Sequence, residues 1–268
     1  MGETRPLCID LFCGLGGWTE GFLAEGYDVI GFDIEQHVYG EHRYPAQLVI
    51  QDVCTLHGSQ FRDADCIVAS SPCQAYSYMA MPWQRAKQIA RALRGVDVFP
   101  DDYVGARTID ELNALFLAPQ RIQREASEAA GRWIPMVQEN VKGTQPWVGP
   151  AQWHYGSYYL WGDVPALMPV VPKARKVTKA YAQHGSWKSV DGDDWRATEN
   201  TGGHGKNPDG RKNGGDWFGK GADCSLQRRA GSKSSARKAA SARIAKIPFP
   251  LAQHIARVYH PGTTERVA

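Results

Sequence analysis

Residues 10–22 read DLFCGLGGWTEGF: an apolar run ends at Phe12, a glycine-dense turn follows, and helical spacing begins near Gly17. Glycines in such a turn let backbone approach a ligand where a Cβ would obstruct it. The spacing is not the GxGxxG of dinucleotide sites. Working outward, short apolar runs recur at 6–12, 28–34, 48–53, 65–70, 134–141 and 157–164. Most are apolar on both faces, as strands of a parallel sheet covered by helices are. Helical spacing predicts helices over 17–25, 84–94, 108–117 and 119–131, the third opening at a Thr108/Asp110 cap cluster. The alternation predicts an α/β domain with a doubly wound, mostly parallel sheet.

The 268 residues suffice for a full core. No apolar run reaches bilayer length and MGETRPLCID has no signal-peptide pattern, so no membrane contact and a cytoplasmic location are expected. The six cysteines lack the paired spacing of a zinc site, so no metal is expected, and a reduced compartment suits them. Charge is unevenly divided. Residues 173–246 hold 17 Lys/Arg against 7 Asp/Glu, while the rest hold 14 basic and 21 acidic residues. Within this segment residues 185–233 are polar and aperiodic, with Trp187, Trp195, Trp217 and Phe218 interspersed, a composition suited to a solvated linker or to nucleic-acid contact. Helical spacing returns at 246–260. The expected division is therefore a body over 1–172, a small basic segment over 173–246, and a C-terminal helix over 247–268 that rejoins the body.

Candidate chemistry gathers at strand ends. FDIE puts Asp33 or Glu35, and QDV puts Asp52, at carboxyl ends where an acid can accept from ribose hydroxyls or an amino group. Singly, each is an ordinary solvated carboxylate. SSPCQ places Cys73 after a proline at the end of the fourth strand, where a thiolate can attack an electrophile, although a lone free cysteine is usually inert packing. QENV places Glu139, able to bond a heterocycle, beside Asn140, able to orient a loop.

Taken in order, DLFCGLGG, FDIE, QDV, SSPCQ and QENV resemble the motifs of the DNA (cytosine-5) methyltransferases over roughly residues 7–165, and YGSYYLWGDVP and IPFPLAQHIA resemble short phage-type members. The resemblance implies a Rossmann-like fold that uses S-adenosyl-L-methionine as methyl donor. It implies that Phe12 lies against the adenosyl group, Gly14, Gly16 and Gly17 approach the methionine portion, Asp33 holds ribose, Ile34 packs on adenine and Asp52 accepts its amino group, with Asp10 and Val53 completing the cofactor set. It also implies that the Cys73 thiolate adds to carbon 6 of a flipped-out cytosine while Glu139 engages ring nitrogen 3, with Pro72, Gln74 and Asn140 shaping the catalytic loops. The implied partner is double-stranded DNA, the implied state a monomer, and the setting a bacterial or phage-infected cytoplasm and a restriction-modification role. Alternatives are a transfer-RNA cytosine-5 methyltransferase, which shares the motifs, and an inactive DNA-binding relative. The latter is prompted by a departure: the family's Gln-x-Arg-x-Arg element has no arginine counterpart in AQWHYGSYYLWGDV, where His154, Gln152 or a residue of the basic segment are candidates to replace it. A second departure is that the family's Gly-Asn-Ser-Val element is missing near Lys246.

Overall fold

Alternation along the first strand sorts the molecule into layers. In the computed structural model, β1 spans Leu7–Leu11. Its odd positions Ile9 and Leu11 join Ile67, Ala69, Ala118, Ile122 and Ala126 in one buried cluster, and its even position Asp10 accepts from Thr19 on the opposite face. A two-residue period on a strand does this by itself. The structure describes residues 4–77, 83–96, 108–169 and 245–264, with the isolated positions 238 and 242.

The elements in chain order are β1, α1 (Gly17–Ala24), β2 (Asp28–Asp33), β3 (Val38–Tyr39), β4 (His42–Arg43), β5 (Gln47–Ile50), β6 (Cys66–Ser70), α2 (Trp83–Leu93), α3 (Ile109–Ala130), β7 (Met136–Asn140), α4 (Gln145–Val148), β8 (Trp153–Tyr155), β9 (Tyr158–Gly162), α5 (Phe249–Tyr259) and α6 (Pro261–Thr264). One sheet has the order β5-β2-β1-β6-β7-β9-β8, and β3 and β4 form a separate hairpin. The strands from β5 to β7 are parallel, whereas β9 runs antiparallel to β7, and β8 to β9. The chain moves from β1 out to β2 and β5, then returns to β6 on the other side of β1. That reversal makes the β1/β6 boundary the switch point, where open α/β sheets bind ligands.

The doubly wound, mostly parallel sheet is as expected, with two corrections. The helices expected over 108–117 and 119–131 are one helix, α3, with Pro119 buried inside it. Thr108 caps it by accepting from the Glu111 amide, and Gly131 ends it in the left-handed region. The sixth expected strand, β9, is antiparallel, and the short β8 beyond it and the β3–β4 hairpin carried no expectation.

By internal contacts the chain divides into two units, Met1–Pro169 with Phe249–Ala268, and Val170–Pro248. The expected basic segment 173–246 lies outside the described residues except at 238, 242, 245 and 246, and Cys224 lies outside them as well. Among the described residues no helix is long and apolar enough to cross a membrane.

Helix α5 packs on α1 through a glycine. A Cβ on Gly21 would stand 2.5 Å from the Ala252 carbonyl carbon and from the Gln253 nitrogen. In an exposed helix Gly→Ala gains about 1 kcal/mol of propensity, but here backbone must move, and overpacking of this kind costs about 1–3 kcal/mol. Gly21→Ala should therefore lower the midpoint of denaturant unfolding, and a raised midpoint would show that α5 yields freely.

Candidate active site

The glycine turn is built from backbone that few side chains tolerate. Phe12 has φ +56°, the one non-glycine residue in the left-handed region among the described residues, and Gly14 and Gly16 follow at +51° and +75°. Strain of this sort clusters at ligand sites. The Cys13 amide bonds the Phe32 carbonyl at 3.1 Å, and the Gly14 amide bonds Asp33 Oδ2 at 2.9 Å, so the turn leans on the end of β2. A Cβ on Gly14 would meet nothing within 4 Å, which leaves that side of the turn open. Gly16 is different: its Cβ would stand 2.5 Å from Pro45 Cδ, so its glycine is required by the segment that follows the hairpin. Gly17 is the buried first residue of α1.

Behind the turn runs a buried chain of polar groups. Thr19 Oγ1 donates to Asp10 Oδ2 at 2.6 Å and lies 2.6 Å from the Tyr44 hydroxyl, while Asp10 Oδ1 is buried with no hydrogen-bond partner among the described residues. With Thr19 donating to the carboxylate, Tyr44 must donate to Thr19. Burial raises the Asp10 pKa from 3.8 to about 7 against the opposing Thr19 hydrogen bond, and the charge on Asp33 adds to the rise. Asp33 goes the other way. Burial opposes its charge, but bonds from His37, the Gly14 amide and the Glu35 amide hold its carboxyl below the ordinary 3.8.

Of the remaining cofactor candidates, Ile34 is 71% exposed, an apolar side chain with little protein over it. The Asp52 carboxylate caps a 3-10 turn by accepting from the Cys54 amide at 2.9 Å. Val53 is 1% exposed in the core with Leu56 and Phe61, so its backbone is what remains for a ligand. His37, not singled out from the sequence, lies 3.5 Å from Asp33 Oδ1 and 3.6 Å from Glu35 Oε1. A histidine within one turn of two acids was the available signal.

The loop that carries Cys73 starts where β6 ends. Ser70 pairs in register with Glu139, and its hydroxyl accepts from Trp18 Nε1 of α1 at 3.0 Å. Glu139, buried at 8% exposure, therefore shares a face with Ser70 toward α1 and the glycine turn. Asn140 faces the other way, fully buried. Its Nδ2 donates to the Ser71 carbonyl at 3.0 Å, and its Oδ1 accepts from the Val141 amide and Thr144 Oγ1, both at 2.8 Å. Pro72 and Cys73 are half-buried and Gln74 is exposed. The Cys73 carbonyl accepts from the Tyr76 and Ser77 amides, both at 3.0 Å, which makes the cysteine the start of a turn. Asp33, Ser70 and Glu139 thus lie at the carboxyl edge on the glycine-turn side.

Of the candidates for the missing arginine, the basic segment lies almost wholly outside the described residues, and Gln152 and His154 separate. Gln152 donates its amide to the Gly162 carbonyl, in register with Val137 and away from the carboxyl edge. His154 is exposed, in the row of Tyr159 and Asn140, with its ring stacked on Tyr159 at 5.1 Å and 19°.

Residues 7–89 match the family model of C-5 cytosine-specific DNA methylases, a segment that contains the glycine turn, Asp33, Asp52 and Cys73. The Type II methyltransferase M.XorII of Xanthomonas oryzae pv. oryzae is 31% identical over 86 residues, 28% of this chain, and the chain spans 20% of that relative's length. Among solved structures, the S. pombe Dnmt2 methyltransferase aligns over 53% of this chain and 36% of its own at 14% identity and TM-score 0.31. The Entamoeba histolytica methyltransferase EhMeth aligns over 53% and 40% at 15% identity and TM-score 0.31.

The raised Asp10 pKa predicts a pH signature. Between its unfolded value near 4 and its folded value of about 7, the folded chain holds this proton more tightly than the unfolded chain. The stability linked to it is full below the lower value and is lost as pH rises through the upper one. Asp10→Asn cannot titrate, so the wild type should lose melting temperature relative to the variant from pH 4.5 to 7.5. A difference that stays constant over that range would overturn the assignment.

Proposed function

We propose that the chain transfers a methyl group from S-adenosylmethionine to carbon 5 of a flipped-out cytosine in double-stranded DNA. The observation that carries this reading is the shared carboxyl edge: Asp33 bonded to the glycine turn, and Glu139 in register with the strand that ends in the Cys73 loop. The methylase match over residues 7–89 supports the same chemistry.

The residues fit the donor. The open side of Gly14, the exposed Ile34 and the ionised Asp33 suit a methionine portion, an adenine and ribose hydroxyls respectively. The donor supplies an electrophilic methyl on a sulfonium. The chain's own groups make cytosine able to accept it, because carbon 5 is a poor nucleophile until the ring is saturated. Cys73 Sγ bonds to carbon 6, Glu139 holds or protonates nitrogen 3, and electron density moves to carbon 5. Carbon 5 then takes the methyl. Loss of its proton restores the double bond and expels the Cys73 thiolate. A base in a duplex is out of reach of such a site, so the target must leave the stack.

Trapping tests this directly. DNA with fluorine at carbon 5 of the target cytosine has no proton to lose after transfer, so it should stay attached to the protein when donor is present. Cys73→Ala should give no adduct, and Glu139→Gln should bind donor while turning over about 10²- to 10⁴-fold more slowly. Running transfer RNA beside duplex DNA, with mass spectrometry of the product nucleoside, reads the acceptor and the transferred group together. An adduct that persists in Cys73→Ala would overturn the nucleophile assignment.

We assign phosphate contact to the basic segment 173–246, on its 17 basic against 7 acidic residues. Each neutralised phosphate releases counterion, so affinity should fall steeply with salt. Deleting 190–232 should flatten that slope, and an unchanged slope would place the contact elsewhere.

A further inference from the structure

We propose that Gln138 and Ser71 form a clasp that positions the Cys73 loop for attack, an inference that rests on Cys73 being the nucleophile. Gln138 is wholly buried on the β7 face opposite Glu139. Its Nε2 donates to Ser71 Oγ at 3.1 Å and to the Phe116 carbonyl at 2.7 Å. Ser71 is therefore held twice by side chains from one face of one strand, at its hydroxyl by Gln138 and at its carbonyl by Asn140. Pro72 follows with its φ fixed by its ring, and Cys73 comes next.

The far side of the loop is pinned as well. Tyr76, 1% exposed, bonds the Asn113 carboxamide oxygen at 2.9 Å and the Leu112 carbonyl at 3.2 Å, both on α3. The Phe116 carbonyl lies on α3 as well, so Gln138 ties the start of the loop to the helix that holds Tyr76. The polar choice at Gln138 is costly. A methionine would fill the same volume without desolvating an amide, so what the glutamine adds is a directional hold on Ser71.

The test uses the full chain. Ser71→Ala removes the hydroxyl and leaves the Asn140 bond to the Ser71 carbonyl. Gln138→Met removes the amide, and Ser71→Thr restores a hydroxyl. Ser71→Ala and Gln138→Met should each lower kcat about ten- to a hundredfold, as a misplaced reacting group does, with the KM for S-adenosylmethionine unchanged within about twofold. The double variant should be no worse than the poorer single one, and Ser71→Thr should recover most of the loss. Alkylation by iodoacetamide, mapped to Cys73 by mass spectrometry, should speed up in both single variants as the loop loosens. Unchanged Cys73 alkylation with kcat falling only in step with melting temperature would reduce the pair to a structural contact, as would failure of Ser71→Thr to rescue. The alkylation arm needs no turnover, so it judges the clasp even if Cys73→Ala proves active and removes the nucleophile reading.

Discussion

The two-residue period of β7 governs the carboxyl edge that it shares with β6. Gln138, Glu139 and Asn140 are consecutive polar residues on a buried strand, and the pleat must send the middle one to one face and its neighbours to the other. Glu139 goes toward α1 and the glycine turn, where Ser70 and Trp18 already meet. Gln138 and Asn140 go toward α3, where Phe116, Ser71 and Thr144 satisfy them. A slip of one residue would exchange the roles, burying an acid among the groups that hold the loop. Three adjacent residues thus send one group to the α1 face of the carboxyl edge and two to the face that holds the following loop.

A second close approach fixes the glycine-turn side. Tyr44 and Pro45, which follow the β3–β4 hairpin, press on the chain where two glycines allow it. Pro45 fills the space a Cβ would take at Gly16, and the Tyr44 ring fills it at Gly31. Through its hydroxyl Tyr44 also reaches Thr19, and Thr19 reaches Asp10. Strand, turn, helix and hairpin are joined in this way by contacts of backbone on ring and by one chain of hydroxyls. The glycine run has two physical explanations, open space at Gly14 and tight packing at Gly16.

This division bears on what the sequence made legible. The six apolar runs and the glycine turn gave the sheet and its ligand edge because periodicity is local. Strand direction is not local: 157–164 is apolar enough for a strand of either sense, and its antiparallel pairing with β7 follows from the short return through β8. Pro119 misled because a proline usually ends a helix, whereas here burial on both sides of it holds α3 together. The motif residues Asp33, Cys73, Glu139 and Asn140 were visible because they stand at strand ends. Tyr44 and Thr19 were not, since their meaning depends on a pairing between residues 25 apart in the chain. Gln138 left a trace, a carboxamide after IPMV in a run otherwise apolar, and a buried amide always needs partners.

The two halves of the site differ in how far they are satisfied within the chain itself. Around the loop that carries Cys73, Gln138 is paired with the Ser71 hydroxyl, Asn140 with the Ser71 carbonyl and Thr144, and Tyr76 with Asn113. A network closed in this way holds one geometry and has little to gain from a ligand. Around the glycine turn the balance is the reverse: Ile34 is 71% exposed, and the space beside Gly14 is open. Unsatisfied and exposed groups are where binding free energy is released, because a ligand there removes a cost the free chain carries. The carboxyl edge is therefore braced by paired groups beside β6 and β7 and left open beside β1 and β2.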